Sequence, residues 1–147
     1  MLITNHVLSG AVVGVLSPNT LSALAGGFVS HFVLDVVPHY GVDDEHLMRI
    51  AVPDGLLGLA AIGAVAAAAP APDRVRVLAG VFGACLPDVD KPAVQFVGSS
   101  PFPAWFDDFH TRIQSESPQR FWVEIVAALS CAALLVATFG VRFPVIR

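Results

Sequence analysis

The chain has 147 residues, enough for one domain, and 55% of them are hydrophobic while only 14% are charged; an ordinary soluble domain carries about 25% charge. With a mean hydropathy of +0.71, there is too little charge to clothe a soluble surface, and lipid is expected to cover much of the exterior. A net charge of −4 with no basic run excludes a nucleic-acid binder.

Five apolar segments follow in chain order. The first spans about His6 to Leu16 and is short. Ser17-Pro18-Asn19-Thr20 reads as a turn with a helix N-cap. The second spans about Leu21 to Val37 and stops at Pro38; a polar loop from Tyr40 to His46 follows. The third spans about Ile50 to Ala69, with Pro53 starting or kinking it. Pro70-Ala71-Pro72-Asp73 makes a tight connection to the fourth, Arg74 to Leu86, which ends at Pro87. Residues 87–118 are rich in Pro, Gly, Ser and charge, and read as a long loop with a short interfacial helix. The fifth segment spans about Gln119 to Phe139, before a tail with Arg142 and Arg147. A membrane span needs about 20 apolar residues, which the third and fifth segments reach. Backbone groups in lipid must be satisfied internally, so the segments are helices. The fold expected is an all-α integral-membrane bundle of about five helices, some short, with a long polar loop before the last. Gly10 and Gly14, with Gly26, Gly27, Gly80 and Gly83, suit close helix contacts. Cys85 and Cys131 lie in apolar stretches, as buried thiols and not as a disulfide framework.

Alternating five helices up and down sends the N-terminus, the 38–49 loop and the 87–118 loop to one end. His6, His31, His39, His46 and His110 all fall there, with every acidic residue but Asp73. Long loops collect polar residues anyway, so Asp43 to Glu45 and Asp107-Asp108 read as plain solvation. That does not explain His6, His31, Asp35 and Asp54, which lie inside apolar segments.

His31 and Asp35 are four apart and share a helix face. Ionisable groups inside a membrane segment are costly and point to function; the bland alternative is a hydrogen bond that locks two helices. Asp88-Val89-Asp90 places two carboxylates at the mouth of the fourth segment, where they repel unless a cation lies between them. Oxygen ligands suit Mg²⁺ or Mn²⁺, and mixed His/Asp sets suit Zn²⁺ or Mn²⁺. His6 is a further metal candidate or an interfacial residue. His39, just past Pro38, is a catalytic or second-set candidate. Asp54 is a general base or a cap on the third helix. His110 is a catalytic candidate, and Arg112 can fork onto an anionic substrate group. Trp105, Phe102, Phe106 and Phe109 around them suit a headgroup layer.

His6 near the start, Ser30-His31-Phe32-Val33-Leu34-Asp35 and Leu86-Pro87-Asp88-Val89-Asp90 resemble motifs of the membrane-bound metal-dependent hydrolases of the YdjM-like group. The resemblance implies a small helical membrane protein with a His/Asp metal site and hydrolase activity. It transfers His6, His31, Asp35, Asp88 and Asp90 as metal ligands. Lys91 stands where that family carries a His, its His-Arg-Gly-x-Thr-His segment is absent, and the two motifs occur in reversed order.

The function expected is a metal-dependent hydrolase at the interface of a bacterial-type plasma membrane, acting on a lipid phosphoester. An Mg²⁺-dependent prenyl-diphosphate transferase or cyclase shares the same site as an alternative. A non-enzymatic ion-binding or transport protein, and a structural subunit whose His–Asp pairs only fix packing, are the readings from other classes. The partners expected are a lipid or lipid-like substrate and the membrane, with a homo-oligomer left open. The short loops of the opposite end are denser in Arg, which leans toward that end being cytoplasmic.

Overall fold

The computed structural model describes residues 1–140; the expected tail with Arg142 and Arg147 lies outside the described residues. Among these residues there are seven α-helices and no strand: α1 Ile3–Leu16, α2 Thr20–Val36, α3 Asp44–Ala68, α4 Arg74–Cys85, α5 Asp90–Val97, α6 Ala104–Ile113 and α7 Phe121–Gly140. The five apolar segments correspond to α1, α2, α3, α4 and α7. The helix count is a correction: the presumed loop before the last segment holds α5 and α6, together with single 3-10 turns at Pro87–Val89 and Pro118–Arg120. α5 ends at Gly98, whose φ of 85° is a left-handed position that glycine fills without strain.

Local chemistry sets the boundaries. Asn19 caps α2 in a reciprocal box with Ser22, as the turn signal predicts. α3 begins earlier than hydropathy suggests, because the Asp43 carboxylate accepts from the His46 N–H at 3.1 Å and caps a polar first turn. Pro53 is therefore inside α3 and does not start it.

α1, α2 and α4 form the tightly packed centre. Small residues make this possible. A Cβ built on Gly10 falls 2.5 Å from the Gly80 carbonyl oxygen, and one on Gly14 falls 2.6 Å from the Val77 Cα. Gly27 likewise faces Gly80, and Gly83 faces Leu24, so backbone lies against backbone on both sides of α4. The apolar core runs from Val7, Ala11 and Val15 of α1 through Val77 and Val81 of α4 to Val65 of α3 and Leu135 of α7.

α3 and α7 lie outside this centre, against α1. They are long and apolar enough to cross a membrane, with mean hydropathies of 1.8 and 2.0, and are scarcely buried by the protein. Leu56, Leu57 and Leu59 on α3, Leu129, Leu134 and Val136 on α7, and Val29 and Val33 on α2 are all exposed.

The close approach at α4 makes a direct prediction. Gly80→Ala should destabilise the protein by about 1–3 kcal/mol through overpacking. Gly63→Ala on α3, where a Cβ meets nothing within 4 Å, should be neutral or slightly stabilising. Equilibrium unfolding in detergent compares the two.

Candidate metal centre

The helices alternate in direction, so the start of α1, the ends of α2 and α4 and the starts of α3 and α7 meet at one end. Hydrogen bonds from Met1 to Asp35, from Ile3 to Asp54 and from Leu2 to Glu124 tie them together. α6 crosses this end and packs on α2. Its apolar face carries Phe106 and His110 inward, while Trp105 and Phe109 remain exposed.

Three imidazoles meet two carboxylates there. His6 Nε2 is 3.1 Å from Asp35 Oδ1, and the Nε2 atoms of His31 and His110 are each 3.1 Å from Asp35 Oδ2. The same three nitrogens lie 3.8, 4.0 and 3.8 Å from the Asp88 carboxylate. His31 Nε2 and His110 Nε2 are 2.9 Å apart. His6 stacks on His31 with ring centroids 4.0 Å apart. His6, His31, Asp35 and His39 have no exposed surface, and His110 and Asp88 have almost none.

These atoms fit a metal ion on three grounds. Ligands at about 2.0–2.1 Å from one ion stand about 2.9–3.3 Å apart in octahedral or tetrahedral order; the Nε2 to Asp35 spacings of 3.1 Å and the His31 to His110 spacing of 2.9 Å match this, while Asp88 stands wider, at 3.8–4.0 Å. Second, His6 is fully buried and its ring nitrogens make no well-aligned hydrogen bond, although Nε2 lies 3.1 Å from Asp35; a buried polar group left so costs about 1–3 kcal/mol. Third, His31 Nδ1 must donate to the Ala84 carbonyl oxygen at 2.8 Å, which leaves a lone pair on Nε2 facing the cluster. Overlapping triads of His6, His31 and Asp88, and of His31, Asp35 and His110, can each hold an ion.

Asp90 has a different place from the other carboxylates. Its Oδ2 lies 3.7 Å from His110 Nδ1, the ring nitrogen that points away from Asp35. It belongs with Asp88 and His110 in a third possible triad, and its position beside Nδ1 also suits a group that orients the imidazole. His110 is therefore a ligand candidate at least as strong as Asp90, although its sequence context suggested only a catalytic role.

Charge follows the surplus of carboxylates. Burial acts against a charged His110, but hydrogen bonds to Asp35 and Asp90 win and raise its pKa to about 9. Burial disfavours the Asp88 carboxylate, yet the Lys91 ammonium, 2.9 Å away, holds it down at about 2. The cluster attracts positive charge, whether a proton, the Met1 amino group at 2.7 Å from Asp35 or a metal ion.

His39 is buried next to this cluster. Its Nδ1 donates to the Val37 carbonyl oxygen at 2.7 Å, so Nε2 faces the Met1 amine at 2.8 Å and Glu116 at 3.5 Å. His39 holds the Glu116 carboxyl below the usual carboxylate range. Asp54 is placed otherwise than expected. It accepts from the Ile3 N–H at 2.6 Å, the Thr4 N–H at 3.2 Å and the Thr4 hydroxyl at 2.6 Å. It therefore caps α1 from α3, and does not cap its own helix. Arg112 is also corrected: two residues past His110 on α6, it falls on the opposite side and is exposed. His46 bonds Asp43 at the surface, away from the centre.

Gln114, Glu116 and Glu124 escaped the sequence reading. Gln114 Nε2 donates to Asp35 Oδ2 at 3.1 Å, and no local pattern signals it. Glu124, in the first turn of α7, is buried and accepts from the Leu2 N–H at 3.1 Å, the Asn5 side chain at 2.6 Å and the Tyr40 N–H at 3.1 Å. A lone acid opening an apolar helix was the available signal. No family profile, curated protein or solved structure matches this chain.

The cap assignment makes a prediction. Asp54→Ala should cost about 1–2 kcal/mol of stability and leave metal content per folded protein unchanged. A loss of bound metal at unchanged stability would place Asp54 in the centre instead.

Proposed function

We propose that this chain is an integral-membrane, metal-dependent hydrolase that cleaves a lipid phosphoester at the bilayer surface. The observation that carries the reading is the convergence of His6, His31 and His110 on Asp35 and Asp88 in a buried position. Stability alone does not require it: a buried ion pair is no more stabilising than well-packed apolar groups. Three imidazoles favour Zn²⁺ or Mn²⁺ over Mg²⁺, which prefers oxygen ligands and water. That same preference counts against the Mg²⁺-dependent prenyl-diphosphate reading.

The membrane assignment is supported by two helices of spanning length and composition and by the exposed apolar side chains around the bundle. Trp105 and Phe109 on α6, Phe96 on α5, and Phe121 and Trp122 at the start of α7 are all exposed at the end that carries the cluster. Exposed aromatic side chains gathered at one end of a bundle suit the headgroup layer. The centre would then lie at the depth where a lipid ester enters.

His6, His31 and His110 with Asp35 and Asp88 would hold the divalent ion, which would supply Lewis-acid chemistry at the phosphoryl group and to water. The residues do the remaining work. Glu116, held as a carboxylate beside His39, accepts a proton from the attacking water. The water oxygen bonds to phosphorus, the ester P–O bond breaks, and the departing lipid alkoxide takes up the proton that Glu116 received from the water. Asp90 steadies His110, and the Ala84 carbonyl steadies His31, so their Nε2 atoms keep their direction.

The test is elemental analysis of purified protein, paired with phosphate release from lipid phosphoesters. Wild type should carry about one or two equivalents of transition metal, and His31→Ala and Asp88→Ala should lose most of it. Turnover should fall by at least about a hundredfold in both variants, the scale on which an essential group is felt. Arg112→Ala should change neither quantity. Metal-free wild type would reduce the cluster to a packing device, and bound metal without turnover would favour ion binding or transport.

A further inference from the structure

A cavity of about 660 Å³ opens beside the cluster, within the range of about 300–1,000 Å³ typical of ligand sites. Leu47, Ile50 and Ala51 of α3 line it on one side, and Pro92 and Phe96 of α5 on the other. Asp88, Lys91, Gln114 and Glu116 line its polar end. Asp88 therefore belongs both to the cavity wall and to the triad with His6 and His31. Gln114 connects to the centre through Asp35.

The wall is chemically graded. Apolar side chains form most of it, and Asp88 and Gln114 join it to the cluster. Lys91 is the one basic side chain lining the cavity among the described residues. Its ammonium pairs with Asp88 Oδ1 at 2.9 Å, and the side chain is 43% exposed, so it reaches both the carboxylate and the open space. An ion drawing on Asp88 competes with Lys91 for that carboxylate. Lys91 is then left beside the mouth of the centre with a free N–H donor set, suited to an anionic oxygen.

We infer that this cavity binds the substrate as a single-chain lipid phosphomonoester, with its chain between α3 and α5 and its phosphate held by Lys91 at the metal centre. The occupant follows from the site: a largely apolar cavity of ligand size, one basic side chain on its wall, and beside it a cluster that collects positive charge. Lys91 sets headgroup specificity, and the α3–α5 walls set the need for a chain. The proposal rests on the hydrolase reading for the reaction but makes its own binding claim.

The test uses full-length protein in neutral detergent, loaded with Zn²⁺ or Mn²⁺. Three probes are compared by equilibrium dialysis: a non-hydrolysable monoacyl phosphonate, the alcohol of the same chain, and inorganic phosphate. Wild type should bind the phosphonate at least about tenfold more tightly than either of the others, the change expected for a charge-assisted contact. Lys91→Gln should remove the preference for phosphonate over alcohol with metal content retained, and Lys91→Arg should restore most of it. Ala51→Phe, which fills the cavity, should weaken phosphonate and alcohol alike and leave inorganic phosphate unchanged.

Retention of the preference in Lys91→Gln, or unchanged amphiphile binding in Ala51→Phe, would overturn the assignment. So would inorganic phosphate that binds as tightly as the phosphonate. Metal content measured on the same samples separates the two claims. Absent metal overturns the hydrolase reading, whereas metal present without headgroup or chain discrimination overturns this one.

Discussion

Asp35 is the charge around which this end of the molecule is arranged. It is a carboxylate with no exposed surface, in the last turn of α2, a helix whose outer face is apolar. Taking such an ion out of water costs several kcal/mol even after the surroundings relax. The cost has to be met by donors and by positive charge within reach. His6 comes from α1, His31 from α2, His110 and its neighbour Gln114 from the α6 region, and the Met1 amine from the chain start. The donors come from the chain start, from α2 itself and from the α6 region, so the anion is fully satisfied only when these three parts have assembled.

Assembly of that kind requires α1, α2 and α4 to approach closely, and glycine permits it. Gly10, Gly27 and Gly80 put backbone against backbone, which draws His6 and His31 into a stack and sets Asp88 opposite them. Glu124 and Asp54 then fix the first residues of α1 from two other helices. These two acids are structural clamps on the strand of chain that carries His6. The precision of a metal site depends on such supports as much as on its ligands.

Much of the cluster is legible in sequence because the signals are local. A His and an Asp four residues apart on an apolar helix, or two Asp residues after a Pro at a helix end, stand out against their surroundings. His6, His31, Asp35 and Asp88 do converge as that reading requires. What escaped it is non-local. Asp54 looks like a cap for its own helix, and only the fold shows that it serves α1. His110 sits in a stretch broken by Gly98, Pro101 and Pro103, where a single short helix was expected and two, α5 and α6, are found, so its direction was left undefined. Arg112 looks like a partner of His110 until helix geometry sends it to the other face. The polar start of α3 resembled a loop because hydropathy cannot register the Asp43 cap.

The proposed centre requires that His6, His31 and His110 share an ion with Asp35 and Asp88. The most direct measurement is an anomalous difference map from crystals of the protein grown in lipid with Zn²⁺ or Mn²⁺, collected at the metal edge. The account predicts a peak within about 2.0–2.3 Å of at least two of the three Nε2 atoms and of a carboxylate oxygen of Asp35 or Asp88. A map with no peak there, and with the imidazoles hydrogen-bonded to Asp35 in its place, would contradict it.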